Sequence, residues 1–332
     1  MKSEKSDSPI SRKSILNNKW LILAIVLGLV LPVIFILGKT KPTKSGAIIG
    51  DRSEFVIRAD EEKVQPVIDE PENFKDRVLS DEKELSRYCR FTNIYSTSTS
   101  DRSVREIKIP ILTYHYIEDT PASTDLPNLF ENTEIFEAQL KSIRKACYET
   151  VLVREIGDAL IDGKSLPDKP LALTFDDGYA DMYYNVFPLL KEYDMKGTMY
   201  IITNAVGTPG YLTKAQLIEM DQSGLVEIAS HTVNHANLFK SSPKVAAYEL
   251  KKSKEDLERI LNRPVVSFAY PYGFFTERDE EICRQAGYST CVSTYPGDMQ
   301  SFSKRFSIYR LRPGYRIGTK LIDWLEGAGP KR

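Results

Sequence analysis

From residue 107 onward, short apolar runs alternate with longer amphipathic stretches, and this alternation limits the folds open to the chain. A crossover between parallel strands needs about a dozen residues or more, which a helix usually supplies. The pattern therefore predicts an α/β domain over 108–326, with a parallel sheet or barrel covered by helices. The predicted strands are 109–114, 171–175, 199–203, 226–230, 265–270, 288–294 and 306–311. The predicted helices are 133–147, 181–193, 213–222, 243–261 and 276–286.

Polar side chains with useful chemistry fall where the predicted strands end. Asp176 and Asp177 follow one strand, His231 follows another, and His115 comes directly after the first. The carboxyl ends of parallel strands meet at one edge of a sheet, where active sites of α/β proteins form. We therefore expect these side chains to lie together, although a lone histidine such as His115 is more often structural than catalytic.

The residues Asp177, His231 and His235 are a suitable ligand set for a divalent metal ion, because two imidazoles and a carboxylate leave coordination positions open. The two histidines are four residues apart and would point the same way on one helical turn. Asp176 leaves the strand on the side opposite to Asp177 and is free for acid–base chemistry. The set predicts a metal-dependent hydrolase. The alternatives are that Asp177-Gly178 is a simple turn and that the histidines are structural.

Residues 20–38 predict a single membrane-spanning helix. The stretch 21–37 has no charged side chain, and 19 helical residues span about 28 Å, close to the hydrocarbon thickness of a bilayer. More lysines and arginines precede the segment than follow it, which favours a cytoplasmic 1–19 and an extracytoplasmic body. A cleaved signal peptide is the main alternative. The sequence therefore predicts a single-pass anchor in the lipid bilayer.

Composition sets further limits on partners and organisation. The formal net charge of −1 gives no basic excess to neutralise phosphates, which argues against a nucleic-acid partner. Residues 39–107 are rich in charged, Ser, Thr and Pro residues and predict a stalk or linker, and 327–332 predict a short tail. Cys283 and Cys291 are the nearest cysteines for a disulfide, and separate buried thiols are the alternative.

Three segments of the domain resemble the motifs of polysaccharide deacetylases of the NodB-homology group, carbohydrate esterase family four. Thr-Phe-Asp-Asp-Gly at 174–178 resembles the first motif and Ser-His-Thr-Val-Asn-His at 230–235 the second. Tyr-Pro-Tyr-Gly at 270–273 resembles much of the third. The resemblance covers about 108–326. It implies a distorted (β/α) barrel, in agreement with the alternation of strands and helices.

The resemblance also implies a role for each motif residue. Asp176 would be the general base, and the backbone N–H of Tyr272 would stabilise the oxyanion. Tyr270 and Pro271 would border the substrate together with Tyr272. The implied cofactor is a divalent metal, with Zn²⁺ foremost and Co²⁺ or Ni²⁺ as alternatives. Its implied ligands are Asp177, His231 and His235.

The chain departs from the family pattern in two places. The third motif usually has an arginine two residues before its proline, where this chain has Ala269, so Arg310 or Arg312 would have to supply the charge. The usual late histidine is also absent. In the branch that resembles biofilm poly-N-acetylglucosamine deacetylases, a Tyr-His pair before the first motif takes its place. Tyr114-His115 matches that pair, so the resemblance implies that His115 is the general acid.

The expected activity is metal-dependent removal of N-acetyl groups from an N-acetylglucosamine polysaccharide at the cell envelope. The branch resemblance favours β-1,6-linked poly-N-acetylglucosamine, a biofilm polymer, as the substrate. Peptidoglycan and chitin oligomers are alternative substrates. A catalytically inactive envelope protein that only binds carbohydrate is the alternative from another class, and Ala269 is the feature that favours it.

Overall fold

The computed structural model describes residues 101–327 of the 332-residue chain. Within this range, no helix is both long enough and apolar enough to cross a membrane. The predicted cytoplasmic segment 1–19, the anchor 20–38 and the linker as far as residue 100 lie outside the described residues, as does the tail from residue 328.

Strands and helices alternate along the described chain, as the sequence predicts. The strands are β1 Glu106–Lys108, β2 Ile111–Tyr114, β3 Glu149–Thr150, β4 Pro170–Phe175, β5 Gly197–Ile201, β6 Val226–Ser230, β7 Ser267–Ala269, β8 Thr290–Val292 and β9 Met299–Ser301. The helices are α1 Thr133–Lys145, α2 Val153–Asp162, α3 Phe187–Glu192, α4 Lys214–Gln222, α5 Pro243–Leu261, α6 Glu277–Gln285 and α7 Gly318–Gly327. Helix α3 continues from a π-helical turn at Met182–Val186.

A curled parallel sheet forms the centre of the domain, with the order β2-β4-β5-β6-β7-β8 and with β3 paired to β4. Apart from β3, its strands are buried on both faces, which is why they appear in the sequence as nearly continuous apolar runs. One face packs on the outer helices. The other face, called here the inner face, carries Ala172, Tyr200, Ala229 and Ala269 and packs on α2. The predicted α/β fold with a parallel sheet is confirmed.

The segment predicted as the last strand, 306–311, is not a regular strand. Ile308 forms a single parallel bridge to β8, and Leu311 forms another to β2. Between them, the N–H of Arg310 donates to the carbonyl of Tyr295 instead of to a strand. The segment therefore links the two edges of the curled sheet and carries Arg310 across the gap.

The predicted linker, 39–107, is not a linker at its end, because Glu106 and Ile107 belong to strand β1. β1 pairs antiparallel with β9, and Ile107 is buried. This contact joins positions almost two hundred residues apart in the sequence, so local periodicity could not indicate it. Cys283 and Cys291 are separate buried thiols, which is the alternative that the sequence left open for this pair, whereas Cys147 is disulfide-bonded.

Helix α5 shows how local sequence determines one of these elements. Ser242 caps its N-terminus by accepting from the N–H of Val245, and Pro243 occupies the first turn, where its missing N–H costs nothing. Asn262 ends the helix in the left-handed conformation. The buried face of the helix consists of Ala246, Glu249, Leu250, Ser253 and Leu257. A carboxylate on this face is unusual and needs buried partners.

Candidate active site

The predicted metal ligands meet at the carboxyl edge of the sheet. Asp177 Oδ1 lies 3.4 Å from His231 Nε2 and 3.3 Å from His235 Nε2, and the three ligand atoms lie within 4.8 Å of one another. Tetrahedral ligands at about 2.0–2.1 Å from an ion are about 3.3 Å apart, so these spacings fit a zinc-sized ion. Asp177 Oδ1 is buried and has no hydrogen-bond partner among residues 101–327, as expected for an atom reserved for a metal.

His231 is oriented by the backbone of the neighbouring strand β7. Its Nδ1 lies 2.8 Å from the carbonyl oxygen of Ala269. Since a carbonyl can only accept, Nδ1 carries the proton and Nε2 presents its lone pair toward Asp177. Such a partner fixes both the tautomer and the ring orientation of a metal-binding histidine.

The two histidines do not share a helical turn, and the expectation that they would is wrong. Residues 231–235 form a non-helical turn in which Thr232 and His235 have φ values of 67° and 55°. Asp177 and Tyr272 also adopt positive φ values, of 76° and 62°. Such backbone conformations are costly for residues other than glycine and persist only where the surroundings hold them. Four such residues in the three motifs indicate a site whose geometry is imposed by its surroundings.

Asp176 forms a buried ion pair with Arg310. Arg310 Nη1 and Nη2 donate to the two carboxylate oxygens at 2.7 and 2.8 Å, and Nε donates to the carbonyl of Ser293 at 2.7 Å. Burial by itself raises the pKa of Asp176, but the guanidinium outweighs it and holds this pKa below its ordinary range. Asp176 is therefore an ionised carboxylate at neutral pH, available to accept a proton.

Arg310 supplies the charge that the third motif lacks at Ala269. Of the two arginines considered from the sequence, Arg312 is exposed and donates to the carbonyl of Asn128 at 2.8 Å, whereas Arg310 is fully buried. The sequence signal was a charged residue inside the otherwise apolar run 306–311. A charge in that position is rarely buried unless it is paired.

His115 lies on the other side of Asp176, with its Nε2 3.9 Å from Asp176 Oδ2. Its Nδ1 is buried and has no hydrogen-bond partner within the described part of the chain. Burial lowers the pKa of His115 to about 4, so the imidazole is neutral at neutral pH. A role as general acid therefore requires that His115 gains its proton during turnover.

The third-motif segment forms the rim beside His235. The ring of Tyr272 is 55% exposed and lies 4.5 Å from the ring of His235, centroid to centroid. Tyr270 and Pro271 are buried, and the Tyr270 hydroxyl donates to the carbonyl of Phe306 at 2.9 Å. Of the three residues expected to border the substrate, Tyr272 is thus the exposed one.

An aromatic stack lines the opposite side of the site, next to His115 and Gly178. Tyr116 stacks on Phe130 and on Tyr179, with ring centroids 4.3 and 3.8 Å apart, and Tyr179 contacts Tyr211 at 5.1 Å. The stack fixes the two segments that carry His115 and Asp177 against each other. Sequence reasoning gave Tyr116 no role, because its partners come from distant segments.

Comparisons with known proteins point to one family. A family model described as polysaccharide deacetylase matches residues 163–291. The chain is 31% identical over 216 residues to YxkH of Bacillus subtilis, covering 65% of this chain and 75% of YxkH. It is 28% identical over 185 residues to a poly-β-1,6-N-acetyl-D-glucosamine N-deacetylase of Staphylococcus epidermidis, covering 52% of this chain and 64%, less than two thirds, of that enzyme.

Among solved structures, the Streptococcus pyogenes deacetylase PplD in complex with acetate superposes with a TM-score of 0.61 and 32% identity. The alignment covers 67% of this chain and 99% of PplD. Deacetylases of this kind depend on a metal, and Asp177, His231 and His235 provide a possible site for one. The resemblance stated from the sequence is confirmed. The chain belongs to the polysaccharide deacetylase family, hydrolases that cleave amide bonds of acetylated polysaccharides.

Proposed function

We propose that the chain is a metal-dependent N-deacetylase of an N-acetylglucosamine polysaccharide at the cell envelope. The observation that carries the proposal is one cluster in which an open ligand set adjoins an ionised, arginine-paired carboxylate and a histidine. We favour Zn²⁺ as the ion, with Co²⁺ or Ni²⁺ as alternatives, because imidazole and carboxylate ligands suit these metals. When bound, such an ion supplies Lewis acidity, which polarises the acetyl carbonyl and acidifies a water molecule.

The side chains divide the proton transfers between them. Asp176 accepts a proton from the attacking water as general base, and Arg310 keeps its carboxylate ionised until then. His115 Nε2 lies 3.9 Å from Asp176 Oδ2, beyond direct hydrogen-bonding distance, and would deliver a proton gained during turnover to the amine that leaves. The backbone N–H of Tyr272, on the exposed rim beside His235, would stabilise the oxyanion.

We propose β-1,6-linked poly-N-acetylglucosamine as the substrate. The similarity to the staphylococcal enzyme and the Tyr114-His115 pair support it. Peptidoglycan and chitin oligomers remain the alternative substrates. The Arg310–Asp176 pair argues against an inactive carbohydrate-binding protein, because it restores the charge whose absence at Ala269 favoured that alternative.

We further propose that the enzyme is a single-pass membrane protein whose catalytic domain lies outside the cytoplasm. The apolar segment 20–38 and the basic residues before it support this location. A polymer of the envelope would then reach the site without crossing the membrane.

The test is acetate release by the purified chain loaded with Zn²⁺, Co²⁺ or Ni²⁺. The substrates are β-1,6-linked N-acetylglucosamine oligomers, chitin oligomers and peptidoglycan, and Asp177→Asn is the control. Release from the β-1,6 oligomers that the variant lacks supports the proposed reaction and the proposed substrate. Release only from chitin or peptidoglycan refutes the substrate and keeps the reaction. A chain that binds metal but releases no acetate from any of these polymers contradicts the proposed activity.

A further inference from the structure

The loop between the two metal-binding histidines rests on a buried carboxylate of helix α5. Glu249 is 4% exposed, and its Oε2 accepts from the backbone N–H groups of Val233 and Asn234 at 2.8 and 3.0 Å. Its Oε1 accepts from the side-chain amide of Asn234 at 2.7 Å. One carboxylate therefore holds the middle of the loop from inside the domain.

The carbonyl side of the same loop is held by a 3₁₀ turn, Thr203–Ala205, that follows strand β5. The N–H groups of Thr203 and Asn204 donate to the carbonyls of Thr232 and Val233 at 3.1 and 3.0 Å. The Asn204 side chain also donates to the Asn234 side chain at 2.5 Å. The loop is thus clamped between this 3₁₀ turn, which binds its carbonyls, and α5, which binds its N–H groups through Glu249.

The loop needs this clamp because it contains two strained residues. Thr232 and His235, on either side of the clamped pair, both have positive φ. Such a conformation is unfavourable for a residue other than glycine and is retained only where surrounding contacts impose it. Without Glu249, the two backbone N–H groups would lose their acceptor, and the loop could relax toward an unstrained turn. His231 and His235 would then no longer hold both Nε2 atoms 3.3–3.4 Å from Asp177.

We propose that Glu249 is a positioning residue for the metal centre, which acts by holding the 231–235 loop in the conformation that aligns both imidazoles. Its hydrogen bonds go to Val233 and Asn234, between the two histidines, so it acts on the imidazoles through the loop. The inference rests on the proposed function only in requiring that Asp177, His231 and His235 bind a metal.

The test is Zn²⁺ affinity, measured by competition with a chelator, in the full chain and its variants. Glu249→Met keeps the shape of the side chain but accepts no hydrogen bond, and we expect it to lose about 10-fold or more in affinity. Glu249→Gln can still accept both N–H bonds through its carbonyl oxygen, so a smaller loss is expected. Glu258→Met is the matched control. It lies on the same helix, and its carboxylate accepts from the N–H of Val265 at 3.0 Å, at the far end from the histidines.

A spectroscopic measurement separates positioning from general stability. The visible absorption of bound Co²⁺ reports ligand geometry, so Glu249→Met is expected to change it, and Glu258→Met to leave it unchanged. Wild-type affinity and spectrum in folded Glu249→Met would overturn the inference. If that variant does not fold, Glu249→Asp decides, because its shorter carboxylate cannot reach both N–H groups, and unchanged affinity there overturns the inference equally. A wild-type chain that binds no Zn²⁺ would refute the proposed metal centre itself, and the inference with it.

Discussion

Replacing Arg310 by methionine tests whether the Asp176 carboxylate depends on its buried partner. The two charge-assisted hydrogen bonds at 2.7 and 2.8 Å join groups that are both almost inaccessible to solvent. Removing one member of such a pair leaves an uncompensated buried charge and costs about 3–5 kcal/mol. A domain is stable by about 5–15 kcal/mol in total, so the loss is a large fraction of the stability and readily measured.

The pH dependence of this loss follows from the pKa of Asp176. In the wild type, the pKa is held below its ordinary value of about 3.9, so the pair stabilises the fold fully above that pH. This contribution is lost as the pH falls through the folded-state pKa. In Arg310→Met, burial acts without the guanidinium and raises the pKa, so the unpaired carboxylate destabilises the fold at neutral pH. The stability deficit relative to wild type should therefore shrink as the pH becomes mildly acidic.

The assay is urea unfolding of the metal-free protein, so that metal binding adds nothing to the stability. The variants are Arg310→Met, Asp176→Asn and the combination of both, and Arg312→Met serves as a matched control because Arg312 is exposed. We expect the double variant to recover a large part of the loss, since it buries no unpaired charge, and Arg312→Met to change stability by less than about 1 kcal/mol. A double variant as unstable as Arg310→Met at every pH would refute the reasoning.

Three further predictions concern the ligands, the acid and the rim. Asp177→Asn should lose metal and acetate release together, whereas Asp176→Asn should keep its metal and lose acetate release; equal metal loss in both, by elemental analysis, contradicts this division. His115→Ala should keep wild-type metal content and lose about 10²–10⁴-fold in kcat, and an unchanged kcat would exclude it as the acid. Gly273→Ala should have a lower urea midpoint of unfolding than Gly207→Ala. Both glycines have positive φ, but an added Cβ at Gly273 would lie 1.8 Å from Thr294 Oγ1, whereas at Gly207 it would meet nothing within 4 Å. Equal midpoints would show that the positive φ, and not the clash with Thr294, determines the loss of stability.

The sequence predicted best those elements whose ends carry local signals. Strand β6 and helix α5 have the predicted bounds, because a capping serine, a first-turn proline and a left-handed asparagine mark the helix ends. Helices α2 and α7 and the β1–β9 pairing were not predicted. The pairing joins segments far apart in the sequence, and periodicity carries no information about such contacts.

The sequence also predicted which polar residues meet, but not how they are held. Asp176, Asp177 and His231 follow predicted strands, and the topology of a parallel sheet brings strand ends together. The loop carrying His235 was expected to be helical because the four-residue spacing is typical of a helix. Its actual conformation depends on Glu249 and on the 3₁₀ turn after β5, which contact it from other parts of the chain.

The relocated arginine shows why one departure from a motif need not remove a function. The buried Asp176 carboxylate needs a cation beside it. In a curled sheet, that cation can come from any segment whose side chains reach the inner face near Asp176. Ala269 and Tyr200 share that inner face, and the guanidinium of Arg310 lies 5.7 Å from the centre of the Tyr200 ring. A small side chain at position 269 leaves room there, while the carbonyl of the same residue orients His231. The backbone carbonyl of Ala269 thus orients a metal ligand. The positive charge that its side chain lacks comes from Arg310, 134 positions from Asp176 in the sequence.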